Sequence, residues 1–179
     1  MEAGVRPRFS SHIPAGLISE DILETIISLL GIALFVAAAY GDVKTLRIPN
    51  ALVAAVPALG LGRLIVIGDL SFGLYTVSAS LLVFIATFLL FWRGVVGGGD
   101  AKLLTAAGLL IGYHDLFNFL LVMGICGALV SVAVLVMPRS SVMASDEQPL
   151  PKARLAVPYG AAIAGGGIVT LLFQISFVG

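Results

Sequence analysis

Water-facing residues are what this chain is short of. Only 11% of its 179 residues are charged, against 59% apolar, whereas soluble domains carry about 25% charged residues. That is too little polar surface to cover a globule in water, which excludes an ordinary cytosolic enzyme. The single cysteine, Cys126, excludes an intrachain disulfide and any CxxC metal or redox site. Two histidines, His12 and His114, do not make a metal site with it at normal ligand spacing. Lys plus Arg balance Asp plus Glu at ten each, so no basic footprint points to nucleic acid. The phosphate-loop pattern GxxxxGK[ST] is missing as well. Neither a metal nor a cofactor is expected.

What the chain does have is apolar length. Its mean hydropathy is +1.10, and several runs approach or exceed the roughly 18 to 20 residues that cross a bilayer as a helix. The expected architecture is an all-α polytopic membrane protein with about six transmembrane helices. Residues 1–21 read as a polar N-terminal tail without the apolar core of a secretory signal, and 22–179 as one membrane domain. The spans expected are Ile22–Tyr40, opened by Ser19, Glu20 and Asp21 as caps, then Pro49–Gly68 and Gly73–Trp92. Gly68 to Ser71 are expected to form an outer turn, and three more spans follow at Ala101–Gly112, Leu116–Met137 and Leu155–Phe177. The fourth is short for a full crossing, and Gly97-Gly98-Gly99 before it should break the helix. A polar, proline-rich stretch at 138–154 reads as a loop.

Orientation follows from the basic residues. Lys44, Arg47, Arg93, Lys102, Arg139, Lys152 and Arg154 fall in the loops at 41–48, 93–102 and 138–154, while the other face has only Arg6 and Arg8. The positive-inside rule puts those three loops in the cytoplasm and both termini outside.

Two acids share that cytoplasmic margin. Asp42 closes the first span and Asp100 opens the fourth, and an ionisable residue at a span end marks function by default. Pro49 and Asn50, after Ile48, make the link following Asp42 a defined turn. Gly97, Gly98 and Gly99 remove side chains that would crowd Asp100. Two carboxyls within a few ångströms share a proton, so that one acts on water as base while the other donates to a scissile carbonyl. Lys102, two residues after Asp100, is a cation that would keep one of them ionised. Arg63, inside the second span, is expected to snorkel outward or pair with Asp69, while His114 and Asp115 read as interfacial polar residues.

Asp42 with Ile48-Pro49-Asn50, and Gly97-Gly98-Gly99-Asp100-Ala101-Lys102-Leu103, resemble the two motifs of the type IV prepilin peptidases, GxGD-type intramembrane aspartic proteases. Val157-Pro158-Tyr159-Gly160-Ala161-Ala162-Ile163-Ala164 resembles the last span of the short members that serve tight-adherence (Flp-type) pili. The resemblance implies a GxGD aspartic protease fold, catalytic roles for Asp42 and Asp100, and cleavage of a short basic leader from prepilins or pseudopilins at the cytoplasmic face of a bacterial inner membrane. It also implies the pilus assembly or secretion machinery as a partner. Bifunctional members carry a further N-terminal domain, often with paired CxxC motifs, and N-methylate the product. With one cysteine and no such domain in the sequence, methyl transfer is not expected. The rival reading is a small membrane transporter in which Asp42 and Asp100 bind a cation or relay protons. An inactive scaffold of the assembly complex is a third, opposed by the presence of both aspartates.

Overall fold

The structure, a computed structural model, describes residues 15–45, 49–136 and 159–178. They form six helices: α1 (Ala15–Thr45), α2 (Asn50–Ile67), α3 (Leu70–Trp92), α4 (Gly98–Ile111), α5 (Leu116–Val136) and α6 (Tyr159–Val178). No strand occurs among the described residues. Five helices are long and apolar enough to cross a membrane. The exception is α4, whose 14 residues span about 21 Å against a hydrocarbon core of about 30 Å. The expectation of a multi-pass, all-α membrane protein holds.

Element boundaries follow local chemistry and differ from the sequence reading in three places. α1 begins at Ala15, so Ser19, Glu20 and Asp21 lie inside the helix instead of capping it. The outer turn is only Gly68-Asp69. Gly68 is left-handed at φ 66° and its N–H donates to the Leu64 carbonyl, closing α2. The Asp69 Oδ1 then caps α3, accepting from the Ser71 amide at 2.8 Å and the Phe72 amide at 3.3 Å. α3 ends where Gly94 turns left-handed at φ 71°, with its amide on Phe91 O and that of Val95 on Leu90 O, a Schellman closure. Third, the break expected before the fourth span falls at residues 93–97, and the helix restarts as α4 at Gly98, earlier than expected. Gly97 is its N-cap, and Gly98 and Gly99 form its first turn, a position where the helix loses little by lacking side chains.

The shortest helix is the most enclosed. Leu103, Ala107, Leu110 and Ile111 of α4 are buried against Phe35 of α1, Val56 of α2, Phe119 of α5, and Ile163 and Leu171 of α6. α4 packs on α2, α3 and α6, and α6 packs on α1, α4 and α5. Two close approaches need glycine. A Cβ on Gly60 of α2 would lie 3.0 Å from the Leu110 amide nitrogen, and one on Gly166 of α6 would lie 2.9 Å from Met123 Cα. Small residues at helix crossings are how membrane bundles gain van der Waals contact when lipid competes equally for apolar surface. The outward faces are apolar in turn: Ile65, Leu82 and Trp92 are exposed, as expected where lipid is the solvent.

The expected snorkelling of Arg63 and its pairing with Asp69 are overturned. Asp69 is occupied as a helix cap, and Arg63 turns inward, 8% exposed, with its guanidinium on the Leu110 and Ile111 carbonyls at 2.8 and 3.0 Å. Free carbonyls at the end of a buried helix outcompete distant water for those donors. Asp115, read as interfacial, accepts from Gln174 Nε2 at 2.7 Å. His114 is exposed and its ring lies beside those of Tyr113 and Phe72. The expected loop at 138–154 and residues 1–14 of the expected tail lie outside the described residues, while residues 15–21 of that tail belong to α1.

Candidate active site

Asp42 sits in the last turn of α1, 5% exposed. Its Oδ2 accepts a hydrogen bond of 3.0 Å from the amide of Ala161. Ala161 belongs to the first turn of α6, where amides have no intrahelical partner and the helix dipole favours a carboxylate. The site thus borrows a free donor that α6 has to satisfy in any case.

Asp100 is in the first turn of α4. Its carboxyl folds back over Gly97, and it lies close enough to Asp42 to feel that carboxylate's charge. A Cβ on Gly97 would fall 2.8 Å from Asp100 Oδ2. The backbone at Gly97, with φ −70° and ψ 147°, is open to any residue, so space and not torsion calls for glycine there. A Cβ on Gly98 would touch the Phe91 ring at 3.2 Å, while one on Gly99 would meet nothing within 4 Å. The three glycines therefore serve different ends.

Asp100 lines a cavity of about 380 Å³. Its walls are Thr87 and Leu90 of α3, Leu104 of α4, Gly124, Gly127, Ala128 and Ser131 of α5, and Tyr159, Ala162 and Ile163 of α6. Mostly apolar walls with a carboxyl at one end suit an apolar chain whose polar bond reaches that end.

The remaining expected site residues are placed apart. Lys102 is exposed and faces a second cavity of about 420 Å³, which it lines with Val53, Pro57, Ser80 and Thr105. Two residues along a helix is about 200° of rotation, so Lys102 points away from the Asp100 cavity. Pro49 stands at the N-cap of α2, its carbonyl accepting from Leu52 and Val53. Asn50 is the first residue of α2 and exposed. Ile48 lies outside the described residues.

α6 adds to the direct packing of α1 on α4: its first turn holds Asp42 through Ala161 and shares the Asp100 cavity through Tyr159 and Ala162. These contributions went unassigned in the sequence because the donor is a backbone amide, which no side-chain pattern reports. The one signal was the stretch Val157–Ala164, noted only as a resemblance. Thr87 and Ser131 gave no signal at all.

The model of the type IV leader peptidase family matches residues 29–132, a segment that holds both Asp42 and Asp100. The chain is also 29% identical over 157 residues to the prepilin leader peptidase/N-methyltransferase of Bacillus subtilis (strain 168), an alignment covering 87% of this chain. The chain spans about three-fifths of that relative's length, the match covering 59% of it. No solved structure matches. With more than half of its residues matched to the family model, the chain belongs to the type IV leader peptidase family.

Proposed function

We propose that the chain is a membrane aspartic endopeptidase that removes the leader peptide from prepilins or pseudopilins at the cytoplasmic face of the inner membrane. The observation that carries this reading is the gathering of Asp42 and Asp100 at the first turn of α6, with Asp100 at the end of an apolar cavity. One carboxylate takes a proton from water as that water attacks the scissile carbonyl, while the protonated partner donates to the carbonyl oxygen. A few apolar side chains at the start of a prepilin's hydrophobic stem fit the cavity between α3 and α5, and the leader junction reaches Asp100 over Gly99, where the site is open.

Lys44, Arg93 and Lys102 lie at the same helix ends as the two aspartates, which supports a cytoplasmic site by the positive-inside rule. The same placement weighs against the transporter reading, because transporter acids lie near the bilayer midplane. The test is cleavage of a co-expressed prepilin by the wild type, Asp42→Asn and Asp100→Asn, read by gel shift and by the mass of the product. Loss of cleavage in both variants at normal membrane levels is expected. Persistent cleavage in either one refutes the paired mechanism.

A further inference from the structure

Arg63 is a buried charge that the chemistry proposed above does not use. Its Nη1 donates to the carbonyls of Leu110 and Ile111, the last two residues of α4, and to Gln174 Oε1 of α6 at 3.1 Å. Its Nη2 lies 3.7 Å from the Glu24 carboxylate of α1. Gln174 completes the cluster, its Nε2 donating to the same Ile111 carbonyl at 2.9 Å and to Asp115 at 2.7 Å. A planar guanidinium can hold several acceptors in fixed directions at once. Without Arg63 the Ile111 carbonyl would keep only Gln174 as a donor, and in a lipid-surrounded bundle water does not readily replace the guanidinium at the Leu110 carbonyl.

The cluster stands at the opposite end of α4 from Asp100. Between Asp100 and Leu110 lies about 15 Å of continuous helix, so fixing the axial position of Leu110 fixes that of Asp100. α6 is tied in the same way at both ends: Ala161 holds Asp42, and Gln174 is bound to Arg63 and Ile111. Asp100 is carried by α4, and Asp42, carried by α1, is tied to α6 through Ala161; α4 and α6 are locked together at Arg63.

We propose that Arg63 is a positioning residue: it sets the axial register of α4 against α6, and so the height of Asp100 relative to Asp42. The proposal rests on the paired-aspartate reading for its effect on activity, but not for its effect on geometry. Without the lock, α4 can settle elsewhere along its axis, and the step of about 1.5 Å per residue exceeds the roughly 1 Å misplacement that costs about a hundredfold in rate.

The experiment has two arms. In a Cys126→Ser background, spin labels at Val43→Cys and Gly99→Cys, positions exposed beside the two aspartates, report the separation of the two helix ends by pulsed electron resonance. Arg63→Gln should shift or broaden that distance by about one residue rise or more, and Arg63→Lys, which keeps the charge but not the fork, should restore it only in part. In unlabelled protein, Arg63→Gln should lower kcat on a prepilin by roughly a hundredfold with KM little changed, and Arg63→Lys should recover it only in part. An unaltered label distance in folded Arg63→Gln overturns the proposal, whatever the kinetics. If Arg63→Gln does not accumulate in the membrane, Gln174→Leu carries the same test, since it cuts the tie between α6 and the α4 terminus while leaving the arginine in place. If the wild type cleaves no prepilin, the proposed activity fails while the distance measurement still decides the role of Arg63.

Discussion

Asp42 and Ala161 are joined by a 3.0 Å hydrogen bond across 119 residues of chain. The bond makes the start of α6 part of the candidate active site, although α6 lies beyond the segment matched by the family model.

Removing that donor should disable the site while sparing the fold. Proline is tolerated in the first turn of a helix because the amide it removes has no helical partner there. Ala161→Pro should therefore leave thermal unfolding in detergent nearly unchanged. A hydrogen bond to a charged group contributes about 1.5–3 kcal/mol, so cleavage should fall by ten- to a hundredfold. Ala161→Gly, which keeps the amide, is the control and should cleave at close to the wild-type rate.

The glycines before Asp100 should separate on substitution. Gly97→Ala drives a methyl group to within 2.8 Å of the Asp100 carboxylate, so cleavage should be lost as the carboxyl is displaced. Gly99→Ala meets no protein atom and sits in the first turn of α4, so the fold should be little changed. If the leader junction crosses Gly99, that well-folded variant should nevertheless cut more slowly. A Gly99→Ala protein that cuts at full rate would move the substrate path elsewhere.

Gly127→Leu tests the cavity as the seat of the first apolar side chains of the substrate stem. Its first added carbon would meet only Ala162 Cβ at 3.7 Å, an ordinary contact, so the bundle should accept the side chain and the cavity should lose volume. KM for a full-length prepilin should rise by about tenfold, in line with the 1–3 kcal/mol typical of overfilling a packed space, while helix content by circular dichroism stays constant. An unchanged KM would sink this assignment.

Most of the fold was legible because apolar runs, a glycine triplet and two span-end aspartates are one-dimensional signals. The caps were less so. Asp69 read as turn material, whereas it is the residue that starts α3. Gly98 and Gly99 read as helix breakers, but at the first turn a glycine's poor propensity matters little. Arg63 was misread because snorkelling is a local argument, whereas its partners are carbonyls 47 and 48 residues away. Lys102 shows the same limit: adjacency to Asp100 in sequence hides that half a helical turn aims it into a different cavity.

The Arg63 cluster also bears on how the protein is made. α2 leaves the ribosome carrying a charge that raises its insertion cost, and of the acceptors named here only Glu24, on the helix synthesised before it, is already in place. The α4 carbonyls arrive 47 and 48 residues later, and Gln174 only after 111. α2 therefore reaches its final seat only once α4 has been made, and truncation before α4 should leave a nascent bundle in which Arg63 has, of these partners, Glu24 alone.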